Sequence, residues 1–169
     1  GIQLPRTETR AEIETLLDYL KFPPHGTRAA APGYGNSDFV LPEDPRAWLR
    51  AQDEEVSLVV HIETKKAYEN AEEIASTPGV DMIYVGPGDF SVEMGQPGNP
   101  EHPDVRGPMA DILALCKEYD VPFGTTALNV EAGQRWVEEG ALFFEAADEL
   151  AFIRAGATGL VDGYRDFCG

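Results

Sequence analysis

The sequence predicts an α/β protein of the (β/α)8 TIM-barrel type, represented by about five β-α units, and three observations carry that prediction. Short apolar runs alternate with amphipathic helical stretches from one end to the other. Such alternation with strands buried on both faces means a parallel sheet covered by helices. Two of these runs lead into carboxylates, Glu63 after Val59-Val60-His61-Ile62 and Asp89 after Met82-Ile83-Tyr84-Val85, 26 positions apart. One β-α-β unit fits that spacing and brings both strand ends to the same rim. Finally, neither Gly33-Tyr34-Gly35 nor Gly86-Pro87-Gly88 lies in a G-x-G-x-x-G frame, so a dinucleotide-binding open sheet is disfavoured.

Taken in order, Gly1-Ile2-Gln3-Leu4-Pro5 reads as a short buried strand. Thr9 with Glu12 fits a capping box, and Ile13, Leu16, Leu17 and Leu20 then share one face, which predicts a helix from Thr9 to Leu20. Phe22-Pro23-Pro24-His25-Gly26 stops it. Residues 27–45, rich in Ala, Gly, Pro and Asn, read as a long loop, and long loops in compact domains are often functional. A helix over Pro45–Gln52 precedes the clearest strand, Val56–Ile62. Lys65–Ala75 is predicted helical with Ala67, Ala71 and Ile74 inward, and the strand ending at Val85 follows. Gly86 to Pro108, punctuated by four prolines (Pro87, Pro97, Pro100, Pro103) before its end, reads as a second loop. Then come a helix (Met109–Tyr119), a strand (Val121–Gly124), a helix (Val130–Glu139), a strand (Leu142–Phe144) and a mainly helical tail (Asp148–Phe167) with Gly156 and Gly159 as interruptions. No linker or repeat divides residues 1–169, so one partial-barrel domain is expected. A complete barrel has eight strands and about 250 residues, so roughly 80 residues, three β-α units, would stand on the N-terminal side.

Composition narrows the partners. Of 169 residues, 43% are hydrophobic and 25% charged, which is ordinary for a globular chain. Asp and Glu outnumber Lys and Arg by 30 to 13, a net charge of −17, which argues against nucleic acid and anionic membranes as partners. No run approaches a membrane helix and no signal peptide stands out. Cys116 and Cys168 match no metal or redox spacing, and a reducing cytoplasmic setting is the expectation.

Two acids converging on one rim can hold a divalent cation such as Mg²⁺ or Mn²⁺, which takes oxygen ligands and keeps waters for substrate to displace. The plainer alternative is that Glu63 and Asp89 cap helices or pair with Lys or Arg. His61, two residues before Glu63, points to the same face. It is either a hydrogen-bonded interior residue or a base or substrate contact. Arg28 anchors a carboxylate or touches substrate. His25 and His102, in Pro-rich loops, are expected at the surface.

Several motifs resemble the metal-dependent pyruvate aldolases of the HpcH/HpaI family, in the phosphoenolpyruvate/pyruvate barrel superfamily with macrophomate synthase as a relative. They are His61-Ile62-Glu63-Thr64, Gly79-Val80-Asp81 through Asp89-Phe90-Ser91, and Gly95-Gln96-Pro97-Gly98-Asn99-Pro100. Gly1–Thr7 resembles that family's fourth strand, Phe22 to Arg28 its Pro-Pro-x-Gly-x-Arg loop, and Asp53-Glu54-Glu55 the approach to its fifth strand. The resemblance implies that Glu63 and Asp89 ligate a divalent ion (Mg²⁺, Mn²⁺ or Co²⁺) and that the backbone N–H groups of Gly88 and Asp89 bind the carboxylate of a 2-oxo acid. The ion acts as a Lewis acid that lowers the cost of an enolate as a 4-hydroxy-2-oxo acid splits into pyruvate and an aldehyde. It also implies a homo-oligomer, because the family exchanges its last helix between subunits. Three departures stand out: the family's substrate-gripping Arg and catalytic His belong to earlier strands, His61 replaces the usual Gln, and Ala146-Ala147-Asp148 replaces a Gly-Ser-Asp-like turn. Catalytic candidacy therefore falls on His61. The alternatives are a catalytically incomplete scaffold or assembly protein, whose interface would be the apolar C-terminal stretch, and an oxaloacetate decarboxylase or macrophomate synthase-like enzyme.

Overall fold

A computed structural model describes residues 1–127 and 129–168. Five parallel strands lie side by side in chain order: β1 (Ile2–Leu4), β2 (Leu58–His61), β3 (Met82–Val85), β4 (Phe123–Thr126) and β5 (Phe143–Glu145). Sequential order with every neighbour parallel is what right-handed β-α-β crossovers produce in a barrel wall. Register pairs Gln3 with Val59, His61 with Tyr84, Tyr84 with Gly124 and Thr126 with Glu145.

Alternation along each strand sorts the side chains. Leu58, Val60, Ile83, Val85 and Phe123 face the helices and are essentially buried. Around them pack Ile13 of α1 (Arg10–Leu20), Ile74 of α4 (Ala71–Ala75), Phe90 of α5 (Pro87–Glu93), Met109 and Ile112 of α6 (Pro103–Glu118) and Trp136 of α7 (Val130–Glu139). The opposite, lumen-facing set is polar: Gln3, His61, Tyr84, Thr126 and Glu145 occupy successive strands. That polar layer leads up to the strand ends where the two acids lie.

Most elements stand where the sequence puts them, including the Thr9–Glu12 capping box, made by both side chains. The differences have local causes. The region 86–108 is not a continuous loop, because Pro87 and Pro103 start helices α5 and α6, the position where a missing N–H costs nothing. The predicted helix over 65–75 is two short ones, α3 (Lys65–Glu69) and α4, which meet at Asn70; its side-chain amide donates to the Glu8 carbonyl at 2.8 Å. The first strand is not buried: Ile2 is 42% exposed, since β1 has a strand partner on one side only among the described residues. The fourth strand lies further along than Val121–Gly124 and takes in Thr125 and Thr126. The C-terminal helix α8 (Glu149–Cys168) runs through Gly156 and Gly159 unbroken, since glycine weakens a helix without forbidding it. Helix α2 (Pro45–Glu55), capped by Asp44, leads into β2.

Helix α8 packs on nothing: all its described residues are exposed, among them Leu150, Phe152, Ile153, Leu160, Val161 and Phe167. Among the described residues, no helix is long and apolar enough to cross a membrane.

Candidate active site at the ends of β2 and β3

Glu63 sits just past β2 and is 8% exposed. A buried carboxylate needs donors, and two are present. The Arg6 backbone N–H donates to Oε2 at 3.1 Å, and His61 Nδ1 stands 3.3 Å from Oε1. The His61 hydrogen bond, ahead of the Arg6 N–H, holds the Glu63 carboxyl below the ordinary carboxylate range against the opposing effect of burial. No Lys or Arg side chain pairs with Glu63 among the described residues, so the strand-end acid is not a routine ion-pair member.

The neighbouring strand delivers its acid by a different device. After β3 the chain passes Gly86, the N-cap of α5, and Asp89 lies in the first turn of that helix. Gly86 is pressed against Glu63: a Cβ built there would meet Oε1 at 2.5 Å. The segment that carries Asp89 therefore begins in contact with the Glu63 carboxylate. Asp89 is exposed and has no hydrogen-bond or ion-pair partner among the described residues. Phe90, fully buried, anchors the helix immediately after it. The backbone N–H groups of Gly88 and Asp89 fall in the first turn, where no helical acceptor exists for them.

His61 is engaged on both sides. Nε2 stands 2.8 Å from Gln3 Oε1 on β1, Nδ1 faces Glu63, and the Tyr84 ring lies over the imidazole at 4.8 Å between centroids. The Tyr84 hydroxyl in turn bonds Thr126 Oγ1 at 2.7 Å and donates to Glu145 Oε2 at 2.9 Å. Burial pushes its phenol up to about 12. Gly124 makes room for this layer, since a Cβ there would lie 3.1 Å from both Tyr84 and Phe143. Beside Gly88 opens a cleft of about 410 Å³ lined by Pro87, Thr126, Asn129, Arg135 and Trp136 among others.

The structure thus brings Glu63, His61 and the Gly86–Asp89 segment to one rim. Among the described residues Arg28 joins neither a carboxylate nor this rim: its guanidinium lies over the Phe22 ring at 4.5 Å. His25 is exposed as expected, whereas His102 caps α6 through Nδ1. Asp148, of the Ala-Ala-Asp turn, accepts from the Ala151 N–H at the start of α8. Sequence reasoning missed Arg6, Tyr84 and Glu145. Their signal was the inward-facing strand position and, for Arg6, the residue just past a strand end on the same rim.

Comparison with known proteins settles the lineage. The sequence model of the HpcH/HpaI aldolase/citrate lyase family matches residues 1–155. The chain belongs to this family. Its relatives include the 2-dehydro-3,6-dideoxy-6-sulfogluconate aldolase of Pseudomonas putida, 31% identical over 161 residues, 95% of this chain and 62% of that one. The 5-keto-4-deoxy-D-glucarate aldolase of Salmonella arizonae is 31% identical over 162 residues, 96% and 62% of the two chains. An HpcH/HpaI aldolase from Desulfitobacterium hafniense superposes with a TM-score of 0.84 at 26% identity, over 95% of this chain and 62% of its own. Macrophomate synthase shares the fold, with a TM-score of 0.79 at 22% identity over 100% and 60% of the chains. The chain thus spans about 62% of the length of the curated HpcH/HpaI relatives it matches, and the five strands are part of a barrel.

Proposed function

We propose that the protein is a carbon–carbon lyase that cleaves 4-hydroxy-2-oxo acids, reversibly, into pyruvate and an aldehyde. One observation carries this reading: a nearly buried Glu63 carboxylate lies against Gly86, whose chain presents Asp89, unpaired among the described residues, three residues later. Two relatives named as aldolases of acid sugars support it. The donor set fits a hard divalent cation (Mg²⁺, Mn²⁺ or Co²⁺): two carboxylates from adjacent strand ends, one of them without a partner among the described residues, leave positions for water and substrate. Among the described residues no group of three or more His, Cys, Asp and Glu is gathered for a metal, so water and substrate would have to complete the coordination. Such an ion supplies Lewis acidity toward the 2-oxo acid.

The chain's own residues do the rest. The N–H groups of Gly88 and Asp89 bind the substrate carboxylate, and Gly88, lacking a side chain, lets it approach. His61 is a positioning residue in this reading. With one nitrogen on Glu63 and the other at Gln3, it orients the carboxylate, and it becomes a direct substrate contact only by releasing Gln3. The subunits form a homo-oligomer through the exposed apolar residues of α8, and the free thiols of Cys116 and Cys168 support a cytoplasmic setting.

The deciding experiment is pyruvate release from a series of 4-hydroxy-2-oxo acids by the full-length protein, with and without Mg²⁺, Mn²⁺ or Co²⁺. Metal-dependent turnover is expected; none with any metal across several aldehyde sizes refutes the reading. A second reading, an assembly protein derived from the barrel, draws on the unpacked α8. A stable oligomer with no metal affinity would favour it. Decarboxylation of oxaloacetate, or macrophomate synthase-like chemistry, uses the same site, and an oxaloacetate assay run alongside distinguishes the former.

A further inference from the structure

Arg6 occupies a position on this rim that the reading above leaves unused. It follows β1, and its backbone adopts φ 49°, a left-handed conformation unusual for a non-glycine residue. That turn serves two ends at once. The Arg6 N–H reaches Glu63 Oε2 at 3.1 Å, and the side chain reaches away to α5, where Nη2 meets Glu93 Oε1 at 3.2 Å. Glu93 lies four residues after Asp89 in the same helix, so the two acids share a helix face one turn apart. The side chain of Arg6 therefore runs from one proposed metal ligand to the helix face that bears the other.

Charge gives this strut a purpose. The rim carries Glu8, Glu63, Asp89 and Glu93, on a protein of net charge −17. A second cation beside it, Lys66, is held by Glu8 at 3.0 Å. Arg6 makes one side-chain hydrogen bond among the described residues and is 56% exposed. A single half-exposed ion pair contributes little, so it yields easily to a better acceptor. A guanidinium has five donors and pairs two at a time with a planar carboxylate or a phosphate or sulfonate edge.

We infer that Arg6 is a specificity-determining residue that exchanges Glu93 for a second anionic group on the aldehyde half of the substrate, so that the preferred substrates are dianionic. This deepens the aldolase reading and rests on it. The plain alternative is a strut that pins α5 to the loop after β1. The two differ in sign. As a strut, Arg6 and Glu93 are equivalent and losing either has the same effect. As a substrate contact, Glu93 competes with substrate, so removing it helps an anionic tail while removing Arg6 harms it.

The test compares two 4-hydroxy-2-oxo acids of equal length, one ending in a carboxylate and one in a hydroxymethyl group, with the full-length protein and Mn²⁺. The readout is the ratio of their kcat/KM values. Arg6→Gln is expected to lower that ratio about 10- to 100-fold, the loss of a charge-assisted contact, chiefly through KM. Arg6→Lys should keep part of it, and Glu93→Gln should raise it. Arg135→Gln, which removes the cation at the neighbouring cleft, should leave the ratio in place. An equal loss on both substrates in Arg6→Gln, a fall in Glu93→Gln, or a ratio that follows Arg135 instead overturns the inference. No pyruvate from either substrate sinks the aldolase reading and this inference with it. Pyruvate from both with an unmoved ratio in Arg6→Gln sinks this inference alone. Should Arg6→Gln fail to fold, the direction of the Glu93→Gln change still decides.

Discussion

Replacing Gly86 with alanine tests the contact on which the site is built. The backbone there has φ −78° and ψ 99°, comfortable for any residue, so Ala introduces no backbone strain. By narrowing the unfolded ensemble it even stabilises by about 0.4–1 kcal/mol. Every adverse effect must then come from the new methyl, placed 2.5 Å from Glu63 Oε1 and 3.3 Å from its Cδ and Cγ. Reaching an ordinary contact of 3.4 Å displaces Oε1 by almost 1 Å. From 3.3 Å, the His61 contact has no slack to follow. Losing one charge-assisted hydrogen bond costs about 1.5–3 kcal/mol, so the net destabilisation is roughly 1–2 kcal/mol. Divalent affinity should fall about 10- to 100-fold as the carboxylate leaves its place. Calorimetric titration of the full-length protein with Mn²⁺, paired with thermal melts, reads both. Gly107→Ala is the control: it adds a methyl to the body of α6 with nothing within 4 Å and should stabilise by about 0.5–1 kcal/mol. Wild-type Mn²⁺ affinity in Gly86→Ala would refute the argument.

Three further outcomes are expected. Phe90→Ala empties a fully buried site directly behind Asp89 and should cost about 3–5 kcal/mol in denaturant unfolding; a cost below 1 kcal/mol would mean α5 is not anchored there. Because the Tyr84 phenol is raised to about 12 from an ordinary 10, the neutral form is favoured by folding. Its contribution is complete below pH 10 and is lost as pH rises toward 12, so melts of Tyr84→Phe should be flatter than wild type between those values, and parallel curves would contradict the burial argument. An Ile153→Asp, Leu160→Asp double variant, which charges exposed apolar positions of α8, should shift the mass by light scattering toward the monomer; an unchanged mass removes α8 as the interface.

What could be read from the sequence follows from which forces act locally. The Thr9–Glu12 box, the apolar face of α1 and the strand leading to Glu63 were legible because each is encoded within a few residues. The helices at Pro87 and Pro103 were not: proline marks both helix starts and loops, and only the packing of Phe90 and Val105 decides between them. Glu63, His61 and Asp89 were placed from strand ends and a family resemblance; the structure sets His61 beside Glu63 and begins the segment that carries Asp89 against the Glu63 carboxylate. Arg6 escaped notice because its relation to Glu63 spans 57 positions and runs through a backbone N–H, which carries no residue signature. The polar layer of Tyr84, Thr126 and Glu145 likewise exists only once register aligns three strands.

The bond from the Arg6 amide to Glu63 has a kinetic corollary. Thr7, next along, donates its own amide to the His61 carbonyl at 3.0 Å, so the segment after β1 is stitched to the end of β2, where the proposed ion would sit, by two successive amides. Chelation would then be felt as slackening at a distance: deuterium should enter the amides of Arg6 and Thr7 faster once the ion is stripped, while those of β4 keep their pace. In the proposed function, ligand and tether are one carboxylate, and whatever steadies it also quiets the neighbouring turn.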